Sequence, residues 1–260
     1  MIESSGNGQI KQIQKLKKNA RFRKQEGLFI VEGYKMVQEA LYHHLVKALY
    51  VASFCQEAYR EKLSMPDTDI PVEIVSDRLF GELSDTVHPQ GVLAVVFMPR
   101  YDKEKICRNE NAALLCLEDI QDPGNLGTMI RTAEGAGMAG VVLSGGCVDI
   151  FNPKVVRSTM GALFRVPFWF CEDLSTEVES LKGEEFTIYA AHLEGENSYT
   201  LESYAGKIGI LIGNEAKGLS KEVSEKADKK VRIPMEGELE SLNASVSAAL
   251  LMYEVYRNRG

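Results

Sequence analysis

Asp122-Pro-Gly-Asn-Leu-Gly127, running on to Arg131, leaves a short apolar stretch at Ala113–Leu117 and opens a helical one. Two later segments are built the same way. Gly213-Asn-Glu-Ala-Lys-Gly218 follows the apolar stretch 208–212, and Ile233-Pro-Met235 with Ser241-Leu-Asn243 precedes a long helical stretch from Ala244. Glycine- or proline-bearing loops after short apolar strands, each with a few polar side chains, are where open α/β sheets bind ligands. The three segments together predict one composite site at the strand ends of a mostly parallel sheet.

The residues within each loop sharpen that reading. Pro123-Gly124 forms a turn directly after a strand. Asn125 falls near a helix start, where its side chain is suited to cap free N–H groups. Gly127 removes a Cβ where another backbone or a ligand comes close, and Arg131, one turn on, is expected on the same side of the helix. The loop lacks the G-x-G-x-x-G pattern, which disfavours a dinucleotide-binding loop and a nicotinamide-dependent dehydrogenase. Taken alone, it also reads as a capped helix with a surface arginine. Glu215 stands between two glycines, where a carboxylate can accept hydrogen bonds from backbone or ligand, and Lys217 reads as a solvated charge. Pro234 fixes φ and helps shape a cleft wall. Ser241 and Asn243 are both good helix caps, and one cap does not need both.

Working outward, strand and helix patterns alternate from Ala113 to Arg257, which predicts a parallel sheet covered on both faces. The first hundred residues read as a smaller α/β unit, with strands at 28–31, 46–51, 72–75 and 92–97 and helices at 9–18, 33–42 and 54–63. The charged stretch 99–111 has little periodicity and reads as a junction. The expected organisation is 1–100, a linker at 101–111, and 112–260.

The chain has 260 residues, 45% of them apolar and 26% charged, the mix of a globular protein. Its N-terminus lacks an apolar core of signal-peptide length, and the longest apolar run, 92–98, is too short to cross a bilayer, so a cytoplasmic location is expected. Five cysteines, with no C-x-x-C pair, argue against a disulfide framework or a zinc site. Net charge is −7, which disfavours general nucleic-acid affinity. The distribution matters more: Lys11, Lys15, Lys17, Lys18, Arg21, Arg23 and Lys24 fall within fourteen residues with no acidic neighbour. This block reads either as a phosphate-contacting patch or as a solvated helix face.

In order and spacing, Asn125-x-Gly-x-x-x-Arg131-Thr-Ala, Gly213-Asn-Glu215-x-x-Gly218-Leu, and Ile233-Pro-Met235 with Ser241-Leu-Asn-Ala-Ser-Val246 resemble the three signature motifs of the SpoU family of RNA 2′-O-methyltransferases. The N-terminal part, through Phe29-Ile-Val-Glu-Gly33 and His88-Pro-Gln-Gly-Val92, is similar to the substrate-binding domain often fused to that family, itself like small ribosomal RNA-binding α/β proteins.

The resemblance implies a SPOUT-type parallel sheet with a deep trefoil knot, S-adenosylmethionine as methyl donor, a homodimer, and RNA as substrate. It implies that Asn125, Arg131, Glu215, Ser241 and Asn243 serve the reaction. Arg131 would anchor the 2′-oxygen and a phosphate, Asn125 would position Arg131 or the ribose, Glu215 would order the site, and Ser241 and Asn243 would orient the nucleotide or brace the loops. It implies that the donor lies against backbone near Leu193, Leu211, Gly213, Ile233, Met235 and Leu242. It gives Lys15, Lys18, Arg21, Arg23 and Lys24 as RNA contacts. The leaving group from a sulfonium is a neutral thioether, so this chemistry needs no metal. The target stays open between ribosomal RNA, which the fused domain favours, and transfer RNA. A non-catalytic RNA-binding assembly factor of the same fold is the other alternative.

Overall fold

The computed structural model describes residues 1–64, 69–239 and 241–259. Glu240, inside the third loop, lies outside the described residues. The chain divides into two compact units: residues 1–100 with 151–164, and residues 101–150 with 165–260.

In the first unit, α1 (Gly8–Lys18) buries Ile10, Ile13 and Leu16 completely. Each such burial contributes about 2 kcal/mol. Asn7 caps it by accepting from the Gln9 N–H at 2.8 Å. Helix α2 (Ala20–Glu26) follows after one residue and ends on Gly27 in the left-handed conformation, φ 65°. Then come β1 (Leu28–Glu32), α3 (Tyr34–Tyr42), β2 (Val46–Ala52), α4 (Tyr59–Lys62), β3 (Val72–Val75), α5 (Asp77–Leu83) and β4 (Val92–Phe97). The stretch 54–63, expected as one helix, is instead a 3-10 turn at Ser53–Cys55 and the single turn α4. The sheet order is β1-β4-β2-β3, with β4 antiparallel to both neighbours and β2 parallel to β3.

The second unit opens with α6 (Lys103–Cys107). It lies in the stretch expected as a linker, yet Cys107 is fully buried in this unit's core. The charged residues around it concealed a helix whose inward side chains are the Cys107 thiol and the partly buried Ile106. After β5 (Ala113–Leu117), α7 (Pro123–Gly135) and β6 (Gly140–Ser144), the chain forms α8 (Pro153–Ser158), which packs with the first unit. There the Phe29 ring meets Phe151 at 4.8 Å and Phe164 at 6.0 Å between centroids. A pattern of apolar residues marks this segment as buried but does not say against which core. The second unit resumes with β7 (Phe168–Cys171), α9 (Leu174–Gly183), β8 (Thr187–Ala191), β9 (Asn197–Ser198), β10 (Ile208–Ile212), α10 (Lys221–Lys226), β11 (Lys229–Arg232) and α11 (Ala244–Arg259).

These seven strands form one parallel sheet of order β7-β6-β5-β10-β8-β11-β9. Alternation along the strands divides the core. Leu114, Cys116, Ile188, Ala190 and Leu211 join Leu174, Val178 and Leu181 of α9 on one face, while α11 packs against α7 on the other. From β5 the chain moves through α7 to β6 on one side, and from β10 through α10 to β11 on the other. The β5/β10 pair is therefore the point where the strand order reverses, and a crevice opens there at the carboxyl ends. All five cysteines are free, and Cys55, Cys107 and Cys116 are buried, as expected of small apolar side chains. No helix among the described residues is long and apolar enough to cross a membrane.

Candidate active site

The loops after β5 and β10 meet at this crevice. Asp122, not Asn125, caps α7, its Oδ1 accepting from the Asn125 N–H at 2.8 Å. Pro123 occupies the first helical position, which needs no N–H. Asn125 lies within the first turn, which frees its amide for tertiary contacts. The cap expected at Asn125 therefore falls three residues earlier, because the helix already begins at Pro123.

Glu215 crosses from the β10 loop to this turn. Its carboxylate accepts from the N–H groups of Gln121 and Asp122, both at 3.1 Å, and from Asn125 Nδ2 at 3.0 Å. Partial burial pushes this carboxyl up, but the hydrogen bonds from Asn125, Gln121, its own N–H and Asp122 outweigh it and hold the group below the ordinary glutamate value. Asn125 Oδ1 in turn accepts from Asn243 Nδ2 at 3.0 Å. Asn243 Oδ1 accepts from the Ser245 N–H at 2.8 Å and the Ser245 hydroxyl at 2.6 Å at the start of α11.

These contacts form a directional chain. The cap at α11 fixes which end of Asn243 is oxygen, which fixes the Asn125 amide, which aims its N–H₂ at the carboxylate. All three segments singled out in the sequence are thereby joined. Asn214 closes the β10 loop, accepting from the N–H groups of Ala216 at 2.9 Å and Lys217 at 3.0 Å. Gly213 permits this closure, because a Cβ there would fall 2.2 Å from the Gly218 carbonyl carbon. Gln121, Asp122, Asn125, Glu215, Ser241, Leu242 and Asn243 line a cleft of about 720 Å³.

The remaining expected site residues lie around the cleft. Ser241 and Leu242 line it. Gly213 directly follows β10, Leu193 is 67% exposed beyond β8, and Ile233 and Met235 are half-buried beyond β11. They stand at the carboxyl ends of three adjacent strands but not on the cleft wall. Leu211 is wholly buried in the core, so only its main chain is available to a ligand. Arg131 is exposed on α7 and is not among the residues that line the cleft, while Gly127, one turn earlier, is buried. Sequence reading passed over Gln121, Asp122 and Asn214, whose polar side chains in the same loops were the available signal.

In the first unit, Lys15, Lys18, Arg21 and Lys24 are exposed. Arg23 requires correction as an RNA contact. It is 3% exposed and its Nη1 donates to the carbonyls of Leu16 at 2.6 Å and Lys17 at 3.1 Å, tying down the end of α1. A buried guanidinium needs such acceptors, and helix ends supply unpaired carbonyls.

A parallel α/β sheet with a polar cleft at its switch point defines a ligand-binding enzyme scaffold. Residues 112–253 match the model of the SpoU rRNA methylase family, and residues 7–94 that of the MRM3-like substrate-binding domain. The 23S rRNA (guanosine(2553)-2′-O)-methyltransferase RlmP of Bacillus subtilis is 34% identical, over 98% of each chain. The AdoMet complex of the SpoU methyltransferase AviRb from Streptomyces viridochromogenes superposes with a TM-score of 0.88 at 29% identity, covering 97% of this chain and 98% of that one. An AdoMet-bound rRNA methyltransferase from Sinorhizobium meliloti gives 0.86 at 28%, covering 98% and 97%. The chain belongs to the SpoU rRNA methylase family.

Proposed function

We propose that this protein transfers a methyl group from S-adenosylmethionine to a ribose 2′-hydroxyl of 23S ribosomal RNA. The observation that carries this reading is the Asn243–Asn125–Glu215 chain, which joins the three family segments into one cleft. The full-length similarity to RlmP supports the ribosomal target and makes the guanosine equivalent to 2553 the first position to test. Apolar side chains at 233 and 235, with main-chain edges at the ends of β8, β10 and β11, suit an adenosyl group. The bound donor supplies an electrophilic methyl on sulfonium. Leu242, Ile233 and Met235 would wall it, Gly213 would present backbone, and the Glu215 chain would keep the loops at fixed separation for in-line attack. Arg131 would anchor the RNA.

To test this, 2′-O-methyl marks are mapped in cells with and without the protein, and purified protein is assayed on unmodified 23S RNA with tritiated donor. Loss of one 23S mark, restored in vitro, is expected. Loss of a transfer-RNA mark instead, or no loss at all, contradicts the reading.

The reading extends to the RNA grip. Replacing Lys18, Arg21 and Lys24 by Gln is expected to weaken RNA binding and flatten its salt dependence, each lost phosphate contact reducing the log–log slope by about 0.7 to 0.9. Filter binding across a salt series checks this, and an unchanged slope assigns these residues to a merely solvated face. Two further family features are proposed. Late insertion of β10 between β5 and β8 supports a deep trefoil knot. Val246, Tyr253 and Tyr256, spaced along one side of α11 and 46–58% exposed, support a homodimer that covers them.

A further inference from the structure

The turn that carries the chain out of β5 holds a residue with no place in the three segments. Asp119 has φ 53°, the left-handed region that non-glycine residues seldom enter. Its conformation is held from both sides. The Asp119 N–H donates to Ser144 Oγ at 2.9 Å, and that hydroxyl donates back to Asp119 Oδ1 at 2.7 Å. Ser144, the last residue of β6, is only 6% exposed. Gly146 makes room for the carboxylate, since a Cβ there would lie 2.0 Å from Oδ1.

The consequence appears at the carbonyl. So turned, Asp119 O accepts from Asn214 Nδ2 at 2.8 Å. Asn214 Oδ1 holds the Ala216 and Lys217 N–H groups, so the chain on both sides of Glu215 is tied to Asn214. Backbone strain of this kind, about 1–3 kcal/mol, persists where its surroundings over-determine it, and such sites are often functional.

We infer that Asp119 is a positioning residue: its carboxylate, locked to Ser144, sets a left-handed turn whose carbonyl seats Asn214 and thereby places Glu215 against Gln121, Asp122 and Asn125. The inference deepens the methyl-transfer reading and rests on it for its consequence in turnover, but not for its geometry.

The test uses the full chain and reads hydrogen exchange at the Gln121 and Asp122 amides, which donate to Glu215, beside single-turnover methylation of 23S RNA. Asp119→Ala and Ser144→Ala should each speed exchange at both amides by about tenfold. Each should slow turnover by about tenfold or more, with KM for RNA unmoved. The double variant should be no worse than either single one, because the two residues act as one unit. Asp119→Asn, which tolerates a left-handed backbone and keeps an acceptor oxygen, should restore both readouts. Asp119→Gly adopts the turn without strain but lacks the carboxylate, so it should fold as the parent does and still show both losses.

Parent-like exchange in Asp119→Gly, failure of Asp119→Asn to rescue, or additive effects in the double variant would overturn the assignment. If the amides respond as expected in a protein whose parent transfers no methyl group, the positioning role stands and the methyl-transfer reading falls. If the parent methylates RNA and the amides do not respond, the reverse holds.

Discussion

Replacing Asn125 by Asp is expected to reduce methyl transfer by about a hundredfold or more at neutral pH, although the two side chains have the same shape. Asn125 donates to Glu215 and accepts from Asn243. An aspartate can still accept but cannot donate, and it sets a second carboxylate where the amide hydrogen bond lay. Two like charges about 4 Å apart repel by about 4 kcal/mol at an effective dielectric of 20, more than a surface loop contact returns. Either the β5 and β10 loops separate or one carboxyl takes up a proton. The second route predicts partial recovery as pH falls toward 5, because a shared proton restores a donor between the two groups.

The parent protein behaves differently. Burial alone would raise the Glu215 carboxyl, but the hydrogen bonds to it hold it below the ordinary glutamate value. Its stabilising contribution is therefore present above that ordinary value and is lost as pH falls through the lowered one, so it leaves the pH 6–8 range untouched. Turnover of Asn125→Asp across pH 5–8 checks the argument. Parent-like activity at pH 7.5 would show that the chain of amides is dispensable.

Replacing Arg131 by Ala is expected to abolish methyl transfer while leaving the affinity for S-adenosylhomocysteine within about twofold of the parent, because the loss removes RNA-side rather than donor-side contact. Its guanidinium is exposed. It lies six residues beyond Asn125 on α7, about 9 Å along the helix. Such a group has its forked donors free for an incoming phosphate or a developing alkoxide. Lysine should restore only part of the activity, as a point charge without the fork. Isothermal titration with S-adenosylhomocysteine and single-turnover methylation separate the two effects. Near-parent turnover in Arg131→Ala would remove Arg131 from the reaction.

Much of this architecture is legible in the sequence because strands buried on both faces are short apolar runs bounded by glycine and proline. The strands at 92–97, 113–117, 187–191 and 208–212 all stand where that rule puts them, and the half-buried edge strand at 72–75 stands where its Val-Glu-Ile-Val run puts it. Glu215 was readable as an acceptor because a carboxylate between two glycines has backbone N–H groups within reach. What escaped has one physical source: sequence periodicity reports that a side chain is inward but not which partner it meets. Arg23 sits in a basic run and is spent on the carbonyls ending α1. The 151–164 segment is apolar in the right places, yet it completes the other unit's core. Helix α6 hides among charges because its only fully buried residue is Cys107. Asp119 looked like one acidic residue among several, and only its backbone angle and its seat beside Ser144 distinguish it.

The proposed function depends on loops distant in the chain converging on one donor site at the carboxyl ends of β10, β8 and β11, beside the cleft that Glu215 and Asn125 brace. A crystal structure of the protein with S-adenosylhomocysteine tests it most directly. The adenosyl group is expected against Ile233, Met235 and Leu242, with the sulfur turned toward the Asn125 side of the cleft. The ligand ordered at another place, with these strand ends bare, would contradict it.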